Sequence, residues 1–252
     1  MIRIAVIGCN GHMGRFVSQA VADNPETEVL FGVDAYGESP CSFPVYKSFD
    51  EATEKPDAII DFSNPSALDG LLAYALQNGV PCVLCTTGYS PEQREQIKKA
   101  GESIAVFHSG NMSLGINLLI ELAKRAAKVL GGSFDIEIVE KHHNRKVDAP
   151  SGTALMIADG ISDELDREPQ YVYDRHTYRR KRSQNEIGIH AVRGGTIVGE
   201  HEVIFAGHDE VITLTHQAQS REVFAVGAVN AAVFLAGKPA GSYDMGDLLA
   251  SK

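Results

Sequence analysis

A strand, a glycine-lined turn and a helix in immediate succession constrain this chain more than any other feature. Residues 2–7 (Ile2, Arg3, Ile4, Ala5, Val6, Ile7) are a short, β-branched-rich apolar run that leads straight into Gly8-Cys9-Asn10-Gly11-His12-Met13-Gly14. Phe16, Val17, Ala20 and Val21 then recur at helical spacing. A run of that kind reads as a strand buried on both faces of a parallel sheet. Gly8 permits the tight turn, Gly11 lets the backbone approach a pyrophosphate, and Gly14 lets helix and strand pack closely. The helix start then turns free N–H groups toward the phosphates. Glycines punctuate many turns, so context decides. A second strand over 28–33 ends at Asp34, twenty residues past Gly14, where a carboxylate that accepts ribose hydroxyls belongs. Asp34 repels a 2′-phosphate, and Ala35 and Tyr36 add no cation to offset it. The reading is a dinucleotide site with NADH as the preferred cofactor and NADPH as the second choice.

Strand and helix patterns go on alternating. Residues 57–62, 81–84 and 103–107 read as strands; 65–77 (stripe Leu68, Leu71, Leu72, Leu76) and 91–100 read as helices. Such alternation calls for a Rossmann-like α/β fold, a doubly wound parallel sheet. Cofactors in these sheets lie at the carboxyl ends of the strands. The turns there are Asp61-Phe62-Ser63, Cys85-Thr86-Thr87-Gly88 and Ser109-Gly110-Asn111-Met112, polar or glycine-containing where a nicotinamide ribose needs partners. Each also reads as an ordinary turn.

From Ser113 a long amphipathic helix runs to about Leu130, with Leu118, Leu119, Leu122, Ala126 and Val129 on one side. After Arg167 the pattern turns to strands over 186–193, 200–205 and 210–217, which suggests an α+β domain with an open mixed sheet and helices on one face. Residues 221–235 return to helical periodicity and pack back on the first domain. The expected division is 1–112 with 219–252 for the dinucleotide, and 113–218 for the substrate.

Within that second part, an alternating run over 134–139 enters Glu140-Lys141-His142-His143-Asn144-Arg145-Lys146-Val147-Asp148-Ala149-Pro150-Ser151-Gly152-Thr153-Ala154, and a helical pattern leaves it. Two histidines, an arginine and a lysine therefore sit in the connection between a strand and a helix. The helix start at Ser151-Gly152-Thr153 has N–H groups without partners inside the helix. Beside cations, such a start suits a carboxylate or phosphate. A capped helix behind a solvated basic loop is the plain alternative.

The remaining features set bounds. A formal net charge of −10 argues against general nucleic-acid binding, which draws most of its affinity from a basic surface. The one basic run, Arg175-His176-Thr177-Tyr178-Arg179-Arg180-Lys181-Arg182, reads as a solvated loop or a subunit contact. No apolar stretch is long enough to span a membrane, and the first residues lack a signal-peptide layout. Four cysteines, Cys9, Cys41, Cys82 and Cys85, fit reduced thiols in a cytoplasmic protein. Cys82 and Cys85 have CxxC spacing inside an apolar run, which reads as core packing, and no metal site is expected.

With both halves in view, the chain resembles the dihydrodipicolinate reductase (4-hydroxy-tetrahydrodipicolinate reductase) family. The glycine loop would match many families. The run from His142 to Thr153, Asn111-Met112-Ser113-Leu114-Gly115 and Arg193-Gly194-Gly195-Thr196-Ile197-Val198-Gly199-Glu200-His201 carry the likeness more specifically. The resemblance implies NAD(P)H-dependent reduction of a small cyclic dicarboxylate, 4-hydroxy-tetrahydrodipicolinate, in the diaminopimelate route to lysine, by a homotetramer. It implies His142 as a proton donor or acceptor, Lys146 as a proton donor, and His143, Gly152 and Thr153 as substrate contacts; Ser151 joins them as part of the same helix start. It places the cofactor on Gly8, Cys9, Asn10, Gly11, His12 and Met13, to which the glycine spacing adds Gly14, and on Asp34, Cys85, Thr86, Thr87, Ser109, Gly110, Asn111 and Met112. A histidine, with an ordinary pKa near ~6.5, can hold or release a proton at neutral pH. Two rivals account for less: another Rossmann oxidoreductase of amino-acid metabolism leaves His142 to Thr153 unused, and a non-catalytic NADH sensor needs an appended module.

Overall fold

The computed structural model describes residues 1–36 and 42–252; Cys41 lies outside the described residues. In chain order the elements are β1 (Ile2–Ile7), α1 (His12–Asp23), β2 (Thr27–Val33), β3 (Val45–Tyr46), β4 (Ala58–Asp61), α2 (Leu68–Asn78), β5 (Cys82–Leu84), α3 (Pro91–Ala100), β6 (Ala105–His108), α4 (Leu114–Leu130), β7 (Asp135–His142), α5 (Gly152–Ser162), β8 (Gln170–Val172), β9 (Glu186–Arg193), β10 (Gly199–Ala206), β11 (Val211–Ala218), α6 (Glu222–Leu235), β12 (Gly241–Tyr243) and α7 (Met245–Ala250). The chain divides into two units, Met1–Leu114 with Arg221–Lys252, and Gly115–Ser220.

In the first unit, seven strands among the described residues form one sheet in the order β12-β6-β5-β4-β1-β2-β3. Every pairing in it is parallel. Successive strand side chains point to opposite faces. Ile4 and Val6 of β1 therefore meet Val17 and Val21 of α1 and Ala225, Ala228 and Val229 of α6. Ala5 and Ile7 meet the opposite layer, Leu68, Leu71 and Leu72 of α2 and Ile97 of α3. Both faces are covered over residues 4–7, which is why that part of β1 is wholly apolar, while Arg3 lies outside the fully buried part of the strand. Strand order reverses beside β1, and in such sheets the ligand crevice opens there, at the carboxyl ends. Local signals set the helix ends. Ser90 and Gln93 form a reciprocal capping box at the start of α3, and Gly79 closes α2 in the left-handed conformation, φ 61°. The α2 stripe differs from expectation in one place: Ala75 is buried and Leu76 is exposed.

In the second unit, five strands among the described residues take the order β11-β10-β7-β9-β8. β7 and β8 run parallel to β9, while β10 is antiparallel to β7 and β11. One face packs on α4 and α5, with Ile136, Ile138, Ile187, Ile189, Val203 and Phe205 against Ile116, Leu119, Ala123, Ile157 and Ile161. No helix among the described residues is long and apolar enough to cross a membrane.

Three details correct the sequence reading. First, α4 buries Ile116, Leu119, Ala123 and Ala127, while Leu118, Leu122 and Val129 are 50%, 49% and 66% exposed. Apolar residues lie on both sides of α4, and periodicity does not say which side meets the sheet. Second, β7 extends through His142, so that histidine ends a strand and His143 begins the connection. Third, the basic run is neither a free loop nor uniformly solvated. Arg175 reaches Glu186 at 2.5 Å and Glu137 at 2.9 Å, and Arg182 reaches Glu137 at 2.8 Å and Asp135 at 2.7 Å. Arg182 also donates to the carbonyls of Ile136 and Glu186, so the segment straps β7 to β9.

Candidate active site

The glycine loop in the first unit is built from close backbone approaches. Gly8 lies at φ +75°, and a Cβ there would sit 2.7 Å from the Phe62 carbonyl oxygen. A Cβ on Gly14 would run into the Gly8 carbonyl and the Cys9 Cα. The Gly11 N–H donates to the Gly8 carbonyl at 3.0 Å. Gly11 then caps α1 without any side-chain hydrogen bond, and no acid stands in the first turn. The helix start is thus bare backbone with its dipole uncompensated, the arrangement that receives phosphate. Asp34, just past β2, accepts the N–H groups of Asn10 at 3.0 Å and Tyr36 at 3.1 Å. This cradle, which a Cβ at two of its glycines would fill, fits a dinucleotide.

The other expected cofactor residues divide. Thr87 and Gly110 are exposed and Ser109 half-buried, whereas Cys85, Thr86, Asn111 and Met112 are buried. The Thr86 hydroxyl accepts the Ser63 N–H at 3.0 Å, and Asn111 Oδ1 accepts the Ser113 N–H at 2.8 Å. Met112 turns its carbonyl onto α6 at Gly227, where a Cβ would collide with it. Burial pushes the Cys82 and Cys85 thiols up, which makes them packing groups with little thiolate character.

In the second unit the burial of β7 alternates, so Ile136, Ile138, Glu140 and His142 share the covered face. A carboxylate on that face must be paired. Glu140, fully buried, receives both guanidinium nitrogens of Arg193 at 2.7 Å, the His142 ring at 2.6 Å through Nδ1, and the Ser151 N–H at 3.0 Å. Burial pushes Glu140 upward, and the bonds from Arg193, His142 and Ser151 outweigh it, so its carboxyl is held below the usual range. For His142, burial is the strongest influence and lowers the imidazole from its ordinary value against the pull of Glu140.

Around this core stand the remaining expected residues. Ser151 caps α5, accepting the Ala154 N–H at 3.1 Å, and its hydroxyl is 3.1 Å from Nε2 of His201. The His201 ring lies edge-to-face against His142, centroids 5.2 Å apart, and burial lowers it to about 3. Gly152, the first residue of α5, is exposed, while Thr153 and His143 are half-buried. Lys146 is ion-paired with Asp148 at 2.9 Å. Arg193 donates to the Asp148 carbonyl at 2.7 Å and so ties that loop to β9. The structure thus gathers His142, Ser151 and the start of α5 around Glu140, with Arg193 and His201 as members that sequence reasoning left unassigned. One signal was available: strand alternation puts Glu140 on the apolar face.

A parallel sheet with helices on both faces, the bare helix start and Asp34 define the first unit as a Rossmann-type fold of the nicotinamide-dinucleotide-binding class. The chain belongs to the dihydrodipicolinate reductase family, whose N-terminal model matches residues 2–112 and whose C-terminal model matches residues 115–249. It is 56% identical over 249 residues to the 4-hydroxy-tetrahydrodipicolinate reductase of Caldanaerobacter subterraneus subsp. tengcongensis, covering 99% of this chain and 98% of that one. Identity to the 4-hydroxy-tetrahydrodipicolinate reductase of Clostridium tetani is 48% over 251 residues, covering 100% and 98%. Among solved structures, a dipicolinate-bound dihydrodipicolinate reductase from Paenisporosarcina sp. TG-14 superposes with a TM-score of 0.82 at 26% identity, covering 97% of each chain.

Proposed function

We propose that the protein reduces 4-hydroxy-tetrahydrodipicolinate to tetrahydrodipicolinate in the diaminopimelate route to lysine, with a nicotinamide dinucleotide as reductant. The observation that carries this reading is His142, held by the buried carboxylate of Glu140, which also accepts the Ser151 N–H at the start of α5. The cofactor is assigned to Gly8 through Gly14 and Asp34, with Cys85, Thr86, Thr87, Ser109, Gly110, Asn111 and Met112 on the nicotinamide side. When bound, the nicotinamide supplies hydride.

The chain's own residues supply the rest. Reduction of an imine- or enamine-type double bond requires a proton at the carbon next to the one that receives hydride. His142 or Lys146 donates it, a contribution on the order of 100- to 10,000-fold to rate for a positioned acid. The N–H groups at Gly152 and Thr153, with the Ser151 hydroxyl, His143 and Lys146, bind the two substrate carboxylates. Asp34 favours NADH, because a second negative charge meets the 2′-phosphate of NADPH. The working form is a cytoplasmic homotetramer whose subunit contacts fall on the second unit.

The test is oxidation of NADH, and separately of NADPH, with substrate generated in situ from aspartate semialdehyde and pyruvate. Wild type, His142→Gln and Lys146→Ala are compared. A large fall in kcat for either variant, with NADH binding intact, supports the assignment. Equal turnover in all three removes it, and no wild-type oxidation with either cofactor removes the proposed activity.

A further inference from the structure

We propose that Glu140 is a positioning residue for His142: its carboxylate, neutralised by Arg193, holds the ring proton on Nδ1 and leaves Nε2 as the atom that passes a proton to substrate. The inference rests on the reading of His142 as an acid–base group.

Three observations carry it. Glu140 accepts four hydrogen bonds, two from Arg193, one from the Ser151 N–H and one along the His142 Nδ1 contact. Donors directed at a charged carboxylate keep it ionised. An ionised carboxylate only accepts, so the 2.6 Å contact requires the proton on Nδ1. That settles which nitrogen is left.

Next, the other edge of the ring is kept clear. Gly199 on β10 would, with a Cβ, place it 3.1 Å from His142 Nε2 and 3.4 Å from Cδ2. Gly199 is absent from the positive-φ positions, so its backbone does not demand glycine. What glycine supplies there is room beside Nε2.

Finally, Arg193 separates orientation from charge. A lone carboxylate on Nδ1 would favour the imidazolium strongly; a guanidinium on the same carboxylate offsets that pull. The charged and titratable groups facing His142 are Glu140 on its own strand, Arg193 on β9, His201 on β10 and Lys146 in the connection, with His216 paired to His201 across β11. Burial, with smaller contributions from Lys146 and Arg193, outweighs Glu140 and keeps the ring neutral at pH 7 until a dicarboxylate arrives, whose negative charge raises its proton affinity. In the step itself the Nε2–H bond breaks, a C–H bond forms at the substrate carbon beside the hydride acceptor, and the imidazolium returns to the neutral Nδ1–H form. Solvent restores the proton.

The experiment combines ring-nitrogen NMR of ¹⁵N-histidine-labelled protein with steady-state kinetics of wild type, Glu140→Gln and Gly199→Ala. The expected wild-type neutral ring of His142 carries its proton on Nδ1. In Glu140→Gln the Nε2–H form appears and kcat falls about 100-fold or more, with KM within about threefold, as for a mispositioned acid. Gly199→Ala leaves the Glu140 bonds in place, so it tests the idea even where Glu140→Gln does not fold; kcat falls about tenfold or more while the Nδ1–H form persists. A wild-type ring protonated on Nε2, or unchanged kcat in Gly199→Ala, overturns the positioning role. The NMR readout needs no turnover: unchanged kcat in His142→Gln instead overturns the acid–base reading beneath it.

Discussion

The Lys146 ammonium lies 2.9 Å from Oδ1 of Asp148, so the cation proposed to meet a substrate carboxylate is already held by a carboxylate two residues on. Asp148 is drawn below its usual range chiefly by Lys146. Asp148 is exposed and Lys146 half-buried, and with solvent reaching one partner such a pair is worth about 1 kcal/mol. A substrate carboxylate can therefore displace it at small cost. Asp148→Asn is expected to lower the substrate KM by up to about fivefold, the equivalent of ~1 kcal/mol. Initial-rate measurements check this, and a raised KM would show that Asp148 shapes the loop rather than competing in it.

His201 predicts a pH dependence of stability. Its folded value, about 3, lies below the ordinary 6.5, so the unfolded chain binds a proton that the folded chain refuses. The favourable condition is fully present above pH 6.5, and stability is lost as pH falls from there toward the folded value. The slope is ~1.4 kcal/mol per pH unit within that window. Urea midpoints of wild type and His201→Gln between pH 7 and 4.5 give the comparison. The variant should show the shallower loss, and parallel curves would sink the prediction.

Asp34 accepts the Asn10 and Tyr36 N–H groups, and the proposed function gives it the adenosine ribose as a second partner. Asp34→Asn should weaken NADH binding by about 10- to 100-fold, the range for a charge-assisted hydrogen bond. NADPH should suffer less, because a repulsion disappears with the charge. Equilibrium titration with both cofactors reads the ratio. Equal weakening would leave Asp34 as a loop anchor alone.

Gly227 carries α6 over the Met112 carbonyl with no room for a methyl group. Gly227→Ala should cost ~1–3 kcal/mol, the usual penalty of overpacking. It should also weaken NADH binding, because the displaced carbonyl belongs to the 109–112 turn. Thermal melts with and without NADH measure both effects.

Arg182, whose side chain is 17% exposed, satisfies Glu137, Asp135 and three carbonyls at once. Arg182→Ala should destabilise by about 1–3 kcal/mol through its lost charge-assisted hydrogen bonds, with Glu137 still held by Arg175. NADH affinity should be unchanged. A variant as stable as wild type would return the basic run to the status of a solvated loop.

Much of this was legible in the chain, for reasons that differ by element. β1, the glycine loop and α1 could be read because each is a local pattern with one steric meaning. The start of α5 was readable for the same reason, Ser151 being a cap that needs only Ala154. The partnership of Glu140 with Arg193 spans 53 positions, and no local period reports it. The acids that fold Arg175 and Arg182 inward stand on β7 and β9, equally remote. β3 and β12, at two and three residues, are too short to show alternation. The side of α4 that meets the sheet depends on the sheet, which explains Leu118 and Leu122.

The first unit closes only with the last part of the chain. α6 and α7 cover the sheet face that carries Ile4, Val6, Ile60, Val83 and Phe107, and β12 pairs with β6. Chains emerge from the ribosome N-terminus first, at ~5–20 residues per second. Residues 1–114 therefore wait, with that face covered only by α1, while the whole of residues 115–220 is made. Chaperone demand should therefore fall on the part of the protein that is synthesised earliest, until residues 221–252 have left the ribosome.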